Sequence, residues 1–219
     1  SIRGGSGKTA GRPADAAVLA PLPAMAKNPH MWICMPLLLG LLGCQSAPAP
    51  ARTESVRFGI VTDVHYADIP TPPGSRREYR KSEEKLREAL AAFRQQKPPL
   101  EFIIELGDFK DQTVPPRPET TLGFLKTIEA EFQSAGIPAY HVLGNHDLDS
   151  LGKEQFLAST ANPGSARGHS YYGFDHGGIR FIVLDANFRR DGQPYDQGHF
   201  DWKDANIPPE ELAWLDQKL

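Results

Sequence analysis

From Val56 onward the apolar residues fall in short blocks that alternate between two spacings. Val56, Phe58, Ile60 and Val61 form a compact run that predicts a strand over Val56–Thr62. Arg80–Gln95 then carries Leu86, Leu90 and Phe93 on one helical face. "LEFIIEL", Leu100–Leu106, returns to a buried-strand pattern. Glu119–Ala135 predicts a second helix that buries Phe124, Leu125, Ile128 and Phe132 and stops at Gly136. Ala139–Leu143 is a third strand, and a loop-rich stretch follows. "SYYGFDHGGIRFIVLD" predicts a hairpin turning at Gly177–Gly178, and "PPEELAWLDQKL" a helix opening at Pro208 or Pro209. Strand–helix–strand–helix–strand requires parallel pairing through crossovers, so the class is α/β.

Before Val56 the pattern changes character. "MAKNPHMWICMPLLLGLLGCQSAPAPA" has a cationic start at Lys27, an apolar core from Met31 to Leu42 and small residues around Cys44. That core is too short for a permanent span, so residues 25–44 read as a secretory signal. "LLGC" resembles a bacterial lipobox, which makes Cys44 the lipidated first residue of an exported protein anchored at the cell envelope, on the outer membrane or the periplasmic face. Residues 45–55 are a Pro/Ala/Ser linker. Residues 1–24 read as an upstream extension without function. "GGSGKT" in it imitates a phosphate loop, but Ile2 stands where the first glycine belongs and no strand precedes it.

Composition narrows the partners. The 219 residues carry a net charge of −3 with no basic block, which gives no footprint for nucleic acid. Both cysteines, Cys34 and Cys44, lie ahead of the linker, so residues 56–219 hold no thiol chemistry and no cysteine metal site.

The candidate chemistry sits where strands end. The first runs into Asp63-Val64-His65, the second into "GDFKD" (Gly107–Asp111), the third into "GNHD" (Gly144–Asp147). An ionised Asp at the end of a buried strand is costly unless its charge is compensated. One such end is ordinary turn chemistry; three in succession point to one site, because ligands of open α/β sheets bind at the carboxyl ends of strands. Gly107 and Gly144 stand just before the polar groups, where a sharp turn or a close backbone approach needs no Cβ.

These three motifs resemble, in order, the D-x-H, G-D-x-x-D and G-N-H-[DE] signatures of the calcineurin-like metallophosphoesterases. "RFGIVTDVHYADI", "ELGDFKD" and "RFIVLDANFRRDG" are similar to the branch of manganese-dependent ADP-ribose/CDP-alcohol diphosphatases. The resemblance implies an αββα sandwich, with residues 56–219 as the N-terminal part of the domain. It also implies hydrolysis of a small phosphorylated substrate by water activated on two divalent ions, Mn, Fe or Zn. By the same carry-over Asp63 and His65 hold the first ion, Asp108 bridges both, and Asn145 binds the second. His146 stands over the phosphate as acid or transition-state donor, oriented by Asp147.

Arg76, Arg77 and Arg80 are candidates to clamp a substrate phosphate, or else a solvated helix start. Asp111 reads as a brace for its loop, His141 as a core histidine, and His169, His176 and His199 as surface groups. The family's later lone His and its "GHxH" do not occur in residues 1–219, so the sandwich is expected to be incomplete on its C-terminal side and the chain by itself inactive. The alternative reading is a non-catalytic surface lipoprotein that keeps half of a metal site.

Overall fold

The computed structural model describes residues 55–163 and 169–219. The extension, the signal segment, Cys44 and nearly all of the linker lie outside the described residues. Three parallel strands form the central sheet in the order β1 (Phe58–Val61), β2 (Phe102–Glu105), β3 (Ala139–His141). Helix α1 (Lys81–Arg94) crosses from β1 to β2, and α2 (Pro118–Gln133) from β2 to β3. Glu83 and Glu84 in the first turn of α1 and Arg94 in its last complement the helix dipole. Pro118 opens α2, where its missing N–H costs nothing.

Phe58 pairs with Phe102 and Ile104 with Tyr140, which puts all four on one face of the sheet; Gly59, Ile103 and His141 take the other. The second face receives the helices through Leu86, Leu90, Leu125, Ile128 and Phe132, all buried. Gly59 is required there, since a Cβ would stand 2.9 Å from the Phe93 ring of α1. One polar group interrupts this layer. His141 is buried with its Nδ1 3.3 Å from Glu105 Oε2 and its Nε2 3.0 Å from Glu129 Oε2 on α2. Burial pulls the imidazole pKa down, but the two carboxylates outweigh it and raise it to about 9. The charges compensate one another within the core, as expected of a core histidine.

The opposite face is covered by a hairpin, β4 (Tyr172–His176) and β5 (Ile179–Val183). Gly177 and Gly178 turn it with φ of 55° and 75°, the left-handed pair that a two-residue hairpin needs. Phe174 stacks on Tyr140 at 3.7 Å, and Phe181 meets Phe102 edge-on at 5.2 Å. Helix α4 (Pro209–Asp216) packs beside the hairpin through Trp214 and Tyr171, 5.1 Å apart. The helices, the parallel sheet and the hairpin thus stack in that order, consistent with the expected α/β class. Among the described residues, no helix is long and apolar enough to cross a membrane. Two short elements, a 3-10 turn at His146–Leu148 and helix α3 (Lys153–Ser159), occupy the stretch expected to be loop.

Candidate metal and phosphoester site

The first two strand ends stay paired beyond the sheet. Asp63 N donates to Gly107 O (3.1 Å), His65 N to Asp108 O (2.9 Å) and Tyr66 N to Phe109 O (3.2 Å), which sets Asp63 and His65 beside Asp108. Asp63, His65 and Asp108 have φ of 54°, 47° and 56°. Left-handed backbone at a residue with a side chain costs about 1–3 kcal/mol and gathers at functional positions. The third strand end is brought in by glycine. A Cβ on Gly144 would lie 2.2 Å from Asp108 N, and one on Gly107 2.6 Å from Gly144 N. Asn145 follows Gly144 directly, and Asp108 Oδ1 then accepts from His146 N (2.9 Å), which holds the GNHD loop against Asp108.

His65 Nε2 lies 3.6 Å from both Asp63 Oδ1 and Asp108 Oδ2. That is too long for hydrogen bonds, and near the spacing of two donors that share one ion at roughly 2.0–2.2 Å. His65, Asp108 and His146 offer ligand atoms within 4.8 Å of one another. Around His65 Nε2 the carboxylates of Asp63 and Asp108 add two anionic oxygens, so the donor set there is mixed nitrogen and oxygen. It fits a divalent ion of the Mn, Fe or Zn kind.

Asp147 does not orient His146. Its carboxylate, fully buried, accepts backbone N–H groups from Asp108 (3.0 Å), Phe109 (3.0 Å), Lys110 (3.3 Å) and Gly144 (2.9 Å). It clamps two strand-end loops together. Burial raises its pKa to about 6, held down there by Lys110 and the N–H donors. The carboxylate on His146 belongs to Asp149, with Nδ1 and Oδ2 2.7 Å apart. The cause is local geometry. His146–Leu148 is a 3-10 turn, in which side chains three apart eclipse and neighbours diverge.

Two further residues frame the site. Lys110 is fully buried and donates from Nζ to the His146 carbonyl at 2.5 Å; burial lowers its pKa against the pull of four nearby aspartates. Asp111 accepts from Gln112 N (3.1 Å) as a loop brace, and also meets Arg77 at 3.2 Å and His65 Nδ1 at 3.3 Å. Burial pushes its pKa up, but His65 and His146 prevail and leave it below the usual range.

The three arginines separate. Arg77 places both terminal nitrogens 3.3 Å from His146 Nε2. Arg76 lines, with Arg77, Ser82 and Lys85, a cleft of about 350 Å³ that opens beside Asp63 and His65. Arg80 is not brought to the site; its Nε donates to Asp68 at 2.6 Å. Behind the GNHD loop stands a support that the sequence reading missed. Asn187 Nδ2 donates to Leu143 O (2.8 Å) and to Asp185 Oδ1 (3.0 Å), and Lys153 Nζ donates to Asp185 Oδ2 at 2.5 Å. Asp185 and Asn187 again lie just past a strand, and that placement was the signal available for them.

Comparison with known proteins identifies the family. The calcineurin-like phosphoesterase family model matches residues 56–217. The chain belongs to this family. Among curated relatives, the manganese-dependent ADP-ribose/CDP-alcohol diphosphatase of Arabidopsis thaliana is 35% identical over 140 residues, 62% of this chain and 44% of that protein. The protein of the same name from Oryza sativa subsp. japonica is 30% identical over 175 residues, covering 78% and 51%. A crystal structure of a dimetal phosphatase from Danio rerio superposes with a TM-score of 0.59 at 24% identity, over 75% of this chain and 64% of that one. The chain spans about half the length of the curated relatives it matches.

Proposed function

We propose that this chain carries part of the active site of a metal-dependent phosphoesterase that cleaves a small phosphorylated substrate, by preference one joined through a diphosphate. The convergence of Asp63, His65 and Asp108 around an edge without hydrogen bonds between them carries this reading. The names of the plant relatives support the choice of a diphosphate. Asp63 and His65 would hold one divalent ion, Asp108 would serve both positions through its two oxygens, and Asn145 would join the second. Ions held there supply charge neutralisation for the phosphoryl group and lower the pKa of water. Arg77 and Arg76 draw the substrate anion to the edge. His146, placed beside them, delivers a proton to the leaving oxygen.

The test is hydrolysis. With Mn²⁺ the whole protein is expected to cleave a diphosphate or an aryl phosphate, and to stop when a chelator is added. Asp108 and Asn145 furnish the second position thinly, so residues 45–219 alone are expected to bind at most one Mn²⁺, weakly, and to turn over nothing. A whole protein inert with every divalent ion would overturn the reading.

The same protein is proposed to be exported and lipid-anchored at Cys44, on the strength of "LLGC". Cys44→Ala should move it from the membrane to the soluble fraction. A wild type that is already soluble, with an unmodified residue upstream of Cys44 at its N-terminus, would refute the anchor.

A further inference from the structure

Every polar atom of His146 has a partner. Its N–H goes to Asp108 Oδ1 (2.9 Å), its carbonyl takes Lys110 Nζ (2.5 Å), Nδ1 meets Asp149 Oδ2 (2.7 Å), and Nε2 meets both terminal nitrogens of Arg77 (3.3 Å each). The two ring contacts fix the tautomer of the neutral ring. A carboxylate only accepts, so the proton sits on Nδ1; a guanidinium only donates, so Nε2 presents its lone pair. Free histidine favours the opposite arrangement, with the proton on Nε2. Asp111 competes poorly, at 3.8 Å from Nδ1 and already engaged with Arg77 and Gln112 N. Asp147 cannot compete, because its oxygens are taken by four backbone N–H groups.

We infer that Asp149 is the positioning residue for His146: it keeps one proton on Nδ1 and turns Nε2 toward Arg77, the side on which a substrate phosphate arrives. A second proton, taken up from solvent, then binds Nε2 and is the one passed to the leaving oxygen, which returns the ring to its neutral Nδ1–H form. Asp149 follows the 3-10 turn that carries His146, so one turn sets both the height of the ring and its rotation. Its side chain is only 14% exposed, which shields the pair from water. This inference rests on the reading of His146 as the proton donor, and its test has one arm that is independent of that reading.

The independent arm is long-range ¹H–¹⁵N NMR of ¹⁵N-histidine in the full chain, in mildly alkaline buffer. His146 is expected in the Nδ1–H form in the wild type and in Asp111→Asn, and in the Nε2–H form in Asp149→Ala. Asp149→Asn, whose amide oxygen still accepts, should restore Nδ1–H. A wild-type ring in the Nε2–H form, or one that changes in Asp111→Asn and not in Asp149→Ala, overturns the assignment. The second arm measures aryl phosphates of graded leaving-group ability with the Mn²⁺-loaded whole protein. Asp149→Ala should lower kcat by about 10–100-fold at unchanged KM and unchanged metal content. The loss should grow as the leaving group worsens. A loss equal for all leaving groups refutes positioning of a proton donor. A wild type without turnover counts against the phosphoesterase reading, and the NMR result alone then decides the role of Asp149.

Discussion

Asp108→Asn should abolish turnover by the Mn²⁺-loaded whole protein, with a loss of about 10³-fold or more, and should lower its metal content. Asp108 is the carboxylate on which the three strand ends meet: Oδ1 takes the His146 N–H at 2.9 Å, and Oδ2 lies 3.6 Å from His65 Nε2. Asn keeps an oxygen for the backbone bond, so the loop stays in place, and it removes the charge that a divalent ion requires. Several kcal/mol of phosphoryl charge stabilisation depend on that ion, and each 1.36 kcal/mol is about a factor of ten in rate. His146→Gln should behave differently, keeping its metal and losing about 10²–10⁴-fold in rate, as removal of a general acid does. Metal analysis beside kcat separates the two. Equal metal loss in both variants would show that His146 is a ligand and not the proton donor.

How much of this was legible in the sequence varies with how locally each feature is determined. The three parallel strands, the two crossover helices and the Gly177–Gly178 hairpin were readable, since each carries its own periodicity or turn chemistry. Strand ends were overestimated by one or two residues, because apolar residues such as Val56 and Leu143 continue past the last ladder hydrogen bond. Helix α3 was missed because seven residues make barely two turns, too few for a stripe to show. At the site, the motif residues were legible as a set, since "TDVHY", "GDFKD" and "GNHD" sit at three successive strand ends.

What adjacency could not give was which carboxylate faces which partner. Asp147 looked like the companion of His146 because it is next to it. In a 3-10 turn the companion is three residues on, so Asp149 takes that place. Lys110 was invisible for a related reason. A lysine between two aspartates reads as surface charge, and only the meeting of the loops shows it buried beneath the His146 carbonyl. Arg80 was the opposite case, a residue of suitable chemistry captured by a nearer acid, Asp68.

Asp147→Ala should cost a large share of the stability of the fold. The Asp147 carboxylate is the common acceptor for four N–H groups from the loops after β2 and β3, and it lies close to the buried ammonium of Lys110. Alanine removes the acceptor while leaving the donors and the lysine inside, which is the costly way to break such a cluster. Each stranded donor carries a penalty of about 1–3 kcal/mol and an uncompensated buried charge about 3–5, though the loops will relax and admit some water. A net loss of about 4 kcal/mol or more is expected, against a typical total of about 5–15. Asp147→Asn should recover little, since its amide group would point donors at donors. Urea unfolding of the chain measures this directly, with Asp149→Ala as the comparison, because that side chain holds one imidazole and no backbone. An Asp147→Ala protein that unfolds at the wild-type midpoint yet loses its rate would return Asp147 to the chemistry and remove it from the framework.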